Sequence, residues 1–162
     1  MTSIMRLTPY LSILVLVIAG LGAGCLSAPV YSPPNGSISI WVEYHRTGGI
    51  AGFDDHLIIY ENRTATVSRR SFPSENATAI FVISETEATN LNGLFEQARF
   101  LELKHLNPAP TPGADYFTYT ISYRKYEVQA EDTGIPSSLV PVIQELNQLL
   151  VSGCGDDICP IT

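Results

Sequence analysis

The sequence predicts an α+β domain: a single antiparallel β-sheet with two helices packed on one face. Three observations carry this. Apolar residues alternate with polar ones in several short runs, which is the period of a half-buried strand. Two longer runs repeat their apolar residues at spacings of three and four, the period of an amphipathic helix. The strands are joined by short turn-forming segments, and short connections imply antiparallel pairing. About 115 residues, 38–152, are available for such a core, enough for one domain.

The elements follow in order. In Ser37–Arg46, SISIWVEYHR, Ile38, Ile40, Val42 and Tyr44 alternate with Ser39, Trp41, Glu43 and His45, a first strand. Thr47-Gly48-Gly49-Ile50-Ala51-Gly52 is a turn. His56–Tyr60 is a second strand, Glu61-Asn62-Arg63 a turn and Thr64–Arg70 a third strand. Ala79–Ile83 reads either as a fourth strand or as an extended lead into a helix. Ser84 with Glu87 matches a capping box, and Ala88, Leu91, Leu94, Phe95 and Ala98 give the apolar stripe of a helix over 85–98. Residues 105–114, with three prolines and a glycine, read as a loop. Asp115–Tyr123 is a strand with Phe117, Tyr119, Ile121 and Tyr123 on one face. Arg124-Lys125 turns the chain into its hairpin partner, Tyr126–Glu131. Pro136 suits the start of a last helix. Leu139, Val142, Ile143, Leu146, Leu149 and Leu150 form its stripe, and Gly153 is the expected stop.

The N-terminus is of another kind. Residues 11–24, LSILVLVIAGLGAG, carry no charge and follow Arg6, the first basic residue. Fourteen residues are short for a membrane span, which needs about 20, and suit the apolar region of a signal peptide over 1–24. The small residues Gly22-Ala23-Gly24 run into Cys25, a stretch that resembles the lipobox of prokaryotic lipoproteins, and Cys25 is then the lipid attachment site. An ordinary cleaved secretory signal or an uncleaved anchor is the alternative. Every version puts the rest of the chain outside the cytoplasm, on the outer side of the cell membrane. Residues 25–37, with Pro33-Pro34, form a tether. Asn35, Asn62 and Asn76 open glycosylation sequons. A lipobox-like leader together with sequons suits an archaeal cell surface.

Cys154 and Cys159 lie in the tail 153–162. Outside the cytoplasm a disulfide is the first expectation. A metal held with Asp156 and Asp157, or two free thiols, are the alternatives.

Sixteen acidic residues against nine basic give a net charge of −7, and removing the leader removes Arg6. A nucleic-acid binder needs the opposite balance. No motif of nucleophilic, phosphate-loop or paired-histidine metal chemistry is present, so no catalytic residue, metal or cofactor is assigned. The nearest thing to a chemical cluster is His45 and His56 about the glycine turn, with Asp54 and Asp55 near, a metal or acid–base group if not a set of exposed strand-end side chains. Trp41, Tyr44, Tyr116, Tyr119, Tyr123 and Tyr126 concentrate on few strands, where tyrosines serve recognition or pack beneath helices.

The sequence of a strand, Thr47-Gly48-Gly49-Ile50-Ala51-Gly52, a leucine-striped helix, Asp115-Tyr116-Phe117-Thr118-Tyr119-Thr120-Ile121, a hairpin return and Ile135-Pro136-Ser137-Ser138-Leu139 resembles the emfourin family, small protein inhibitors of thermolysin-type metalloproteases. The resemblance spans about residues 38–151. It implies a non-catalytic binding module that grips an extracellular protease through the first strand and the turn Thr47–Gly52. A small metal-binding or hydrolytic envelope lipoprotein and a structural envelope component are the other readings.

Overall fold

A computed structural model describes residues 38–70, 77–111 and 113–158, the last five by their backbone alone. Four strands come first: β1 (Ile40–Gly48), β2 (Phe53–Tyr60), β3 (Thr64–Arg70) and β4 (Ala77–Val82). Helix α1 (Glu85–Gln97) follows. A two-residue strand β5 (Leu106–Asn107) precedes the hairpin β6 (Phe117–Tyr123) and β7 (Tyr126–Glu131), and α2 (Val140–Ile158) ends the described chain.

The class is α+β, but the sheet is larger than the sequence predicted, and it is mixed. Its seven strands run in the order β4-β3-β2-β1-β6-β7-β5. Six strands pair antiparallel, and β5 lies parallel to β7. The expected loop 105–114 therefore contains an edge strand. Three prolines hide it in the sequence, and side chains hold it in place. His105 Nδ1 lies 2.7 Å from the Glu127 carbonyl, and its ring stacks on Tyr126 at 4.5 Å. Asn107 Nδ2 donates to the Gln129 carbonyl at 3.2 Å.

One face of the sheet is covered. Val42, Tyr44, Leu57, Ile59, Ala65, Val67, Ile121 and Val128 point into it and are fully buried. The helical stripes close over them, Leu91 and Phe95 from α1 and Val142, Leu146, Leu149 and Leu150 from α2. Phe95 stacks on Tyr123 at 4.1 Å, and Phe100 meets both edge-on at 5.0 and 6.0 Å. Each such aromatic pair adds roughly 0.5–1.5 kcal/mol beyond the area it buries. Tyr44, Tyr119 and Tyr123 are thus core residues. Among the described residues every buried core residue lies between Val42 and Leu150, within the compact unit Ser37–Thr162.

Local signals explain most boundaries. Ser84 accepts from the Glu87 amide at 3.1 Å, and the Glu87 carboxylate accepts from the Ser84 amide at 2.6 Å, so the capping box is formed. Hydrogen bonding to the Ser84 hydroxyl first, and to its amide next, holds the Glu87 carboxyl below the ordinary range. Arg124 and Lys125 take φ of 51° and 68°, the left-handed pair of a two-residue hairpin turn. Two expectations fail. Pro136 lies in a turn ahead of α2, where its carbonyl accepts from Leu139 N at 2.8 Å, and the helix starts at Val140. Gly153 does not stop it, since α2 runs on to Ile158. A Cβ there would stand 2.1 Å from the Phe81 ring, so this glycine serves the close approach of helix and β4 rather than a helix end.

The first strand carries the other correction. Pairing with β2 slips between Ile40 and Val42, so Trp41 is the extra residue of a β-bulge. The alternation put Trp41 on the face of Glu43 and His45. The bulge turns it instead against the core, edge-on to Tyr123 at 6.4 Å, and leaves Ile40 exposed.

Candidate functional site

The β1–β2 hairpin projects the glycine turn at one end of the sheet. Gly52 N donates to Gly49 O at 3.0 Å and closes the tip around Ile50 and Ala51. Gly48 and Gly49 have φ of 115° and 69°. A Cβ at Gly48 would lie 2.2 Å from the Tyr116 carbonyl oxygen, and one at Gly49 would lie 2.7 Å from the Phe117 ring. The turn is therefore pressed against the start of β6, and only glycine allows it. Gly49 N also reaches Tyr116 O at 3.4 Å. At the tip Ile50 is 88% exposed. A large apolar side chain is thus held out on a braced support. Of the matched positions, Thr47 and Gly48 end β1, and Gly49–Gly52 form the tip.

Beneath the hairpin, on the helix-covered face, Arg46, Asp55 and Arg69 stand side by side in register across β1, β2 and β3. Asp55 is fully buried. Arg46 Nε donates to its Oδ2 at 3.0 Å, Arg46 Nη2 reaches the same oxygen, and Arg69 Nε pairs with Oδ1 at 3.0 Å. Arg46 Nη1 and the Tyr44 hydroxyl both donate to Asn147 Oδ1 of α2, at 3.1 and 2.9 Å. Burial pushes the Tyr44 phenol well above its usual range. Arg46 also lies over the rings of Phe117 and Phe53, at 5.2 and 5.8 Å. This network ties the hairpin to α2. The strand as read began at His56, which left Asp55 in a loop. Extending it to Phe53 sets the parity that separates Asp55 from Asp54.

The opposite face is polar and open. His45 and His56 are cross-strand neighbours with ring centroids 5.4 Å apart. Each is engaged by a carboxylate, His45 Nε2 to Asp54 Oδ1 at 2.7 Å and His56 Nε2 to Glu43 Oε1 at 2.9 Å. Arg70 Nη2 donates to Asp54 Oδ2 at 2.6 Å. The His45 bond first, and Arg70 next, hold the Asp54 carboxyl below the ordinary range. The fold thus brings together His45, His56 and Asp54, adds Glu43, and removes Asp55 to the other face. Among the described residues, no group of three or more histidine, cysteine or carboxylate side chains is arranged to hold a metal ion.

The bulge opens a third feature. Trp41 lines a groove of about 410 Å³ beside α1, together with Glu61, Arg63, Glu85, Thr89 and Asn92. Only register could have announced it, since the sequence shows a plain alternation.

Asn62 occupies the exposed β2–β3 turn, where its Oδ1 accepts from Thr64 N at 3.0 Å. Cys25, Asn35, Asn76 and Cys159 lie outside the described residues, as do the leader and the whole tether; Cys154 is described only as part of the backbone of α2. No helix among the described residues is long and apolar enough to cross a membrane. Compared with protein-family models the chain matches none, and comparison with curated proteins also yields no match.

Proposed function

We propose that this chain is a non-catalytic protein-binding module, held by a lipid on Cys25 at the outer side of the membrane, and that the hairpin tip Thr47–Gly52 is its contact surface. The observation that carries the reading is Ile50, 88% exposed at the end of a turn whose Gly48 and Gly49 pack closely against the Tyr116 carbonyl and the Phe117 ring. A preformed, apolar projection loses little entropy on docking. The likeness to emfourins supplies the partner class, a thermolysin-type metalloprotease.

The test is inhibition of such proteases by residues 37–162, the compact unit that holds every buried core residue among those described. Stoichiometric inhibition is expected, weakened roughly 30-fold or more by Ile50→Asp if the side chain is an interface anchor. Ile50 touches no core, so the variant keeps its fold. A panel of proteases that ignores the protein removes this partner class. Inhibition that is indifferent to Ile50→Asp moves the contact elsewhere. Lipidation is tested separately: a Cys25→Ser chain that still takes up labelled lipid rules out Cys25 as the attachment site.

A second reading rests on the facing His45 and His56, as a small metal-binding or hydrolytic envelope lipoprotein using Asp54 and Glu43. Stoichiometric metal that is lost on His45→Ala or His56→Ala supports it over the first.

A further inference from the structure

The two edges of the sheet are treated differently. The β5 edge is two residues long, is followed by Pro108 and Pro110, and is stitched to β7 by His105 and Asn107. Brevity and proline are the usual means of blunting an edge. The β4 edge has neither. Its six residues, ATAIFV, contain no charge and no proline in a chain of net charge −7. Ile80 and Val82 point to the open face and are 73% and 67% exposed. No described strand pairs with its outer side.

The direction of its free backbone groups follows from the β3–β4 register. Ile83 N donates to Arg63 O at 3.0 Å, and Thr64 lies opposite Val82. In an antiparallel pair alternate residues bond to the same neighbour. Odd-numbered residues of β4 therefore face β3, and Thr78, Ile80 and Val82 turn their N–H and C=O groups outward.

We propose that this edge pairs antiparallel with β4 of a second copy, on a two-fold axis at Ile80. Among two-fold registers this one engages all three outward residues: Ile80 faces Ile80 of the second copy, and Thr78 and Val82 face each other. It is also sterically self-complementary. On the open face β-branched residues meet, a favourable cross-strand pairing. On the helix side it sets Phe81 opposite Ala79, large against small. A second copy also brings no charged residue of its own β4 to the seam. Such an interface is small, so the association is concentration-dependent.

Sedimentation velocity of residues 37–162, produced without N-glycosylation, tests this across a concentration series. A species of twice the monomer mass is expected to grow with concentration. Ile80→Lys and Ile80→Pro are expected to abolish it, with circular dichroism and melting temperature unchanged at concentrations where the parent chain is monomeric. Lysine charges the seam, and proline removes an outward N–H while leaving the β3 ladder alone. Register is read by oxidation of single cysteines in a chain with Cys154 and Cys159 changed to serine. Ile80→Cys is expected to cross-link, since directly opposite residues fall within disulfide reach. Thr78→Cys and Val82→Cys, offset from their own copies by four residues, are expected not to. A monomer at every concentration, a dimer that survives Ile80→Lys, or cross-linking at 78 or 82 rather than 80 overturns the proposal. A seam that takes an extended segment of a different protein gives the first of these results.

Discussion

Replacing Asp55 by asparagine probes the network that anchors the hairpin. The side chain of Asp55 is 0% exposed, while those of Arg46 and Arg69 keep 18% and 17%. Asparagine preserves shape but leaves one acceptor oxygen where the carboxylate offers two, and its amide hydrogens then confront a guanidinium. Two partly buried cations lose their counterion. Breaking a buried pair costs about 3–5 kcal/mol, and the residual solvent contact of the arginines places this case near the lower end, ~3 kcal/mol. For a domain of this size the melting temperature should fall on the order of 10 °C. Urea unfolding of residues 37–162, with unchanged m, measures the loss directly. Asp54→Asn is the internal control: that carboxylate is a third exposed, and its loss should cost at most about 1 kcal/mol. A double-mutant cycle of Asp55→Asn with Arg69→Met should show coupling of about 0.5–3 kcal/mol. If Asp55→Asn costs no more than Asp54→Asn, the buried network does not hold the hairpin and the reasoning is wrong.

Ser84→Ala removes one half of the capping box and should destabilise the domain by about 0.5–2 kcal/mol, read by the same urea titration. The Tyr119 phenol is pushed up to about 12, first by burial and then by its bond to the Asp132 carboxylate. Because its folded value is raised, the stability it contributes is whole below the ordinary tyrosine range near pH 10 and is lost as pH rises towards 12. Alkaline melts should show this loss, and Tyr119→Phe should flatten it; a Tyr119→Phe chain with the same alkaline slope refutes the assignment.

The helical stripes, the capping box, the third strand and the β6–β7 hairpin were all legible in the sequence, because each depends on residues close in the chain. Ser84 and Glu87 are three apart, and the stripe from Leu139 to Leu150 needs only helical spacing. The open-face pair His45 and His56 was half legible, since the strands and turn around it were. The bulge at Trp41, the parallel strand β5 and the continuation of α2 past Gly153 were not. Each is decided by a distant partner: Tyr60 and Ile59 opposite β1, Gln129 beside Leu106, and the Phe81 ring beside Gly153.

The sequence by itself determined the class of the fold, the acidic character of the chain, and the glycine turn as the feature to examine. Those rest on composition, period and turn chemistry, which act over a few residues. Only the tertiary structure decided which aspartate is buried between two arginines and which meets a histidine. It also decided that Ile50 stands clear of the core and that, among the described residues, nothing pairs with the outer edge of β4. These depend on strand register, where a slip of one residue moves every following side chain to the other face. Register in turn is set by packing among Val42, Leu57, Val67 and α2, residues far apart in the chain that meet only when the core closes.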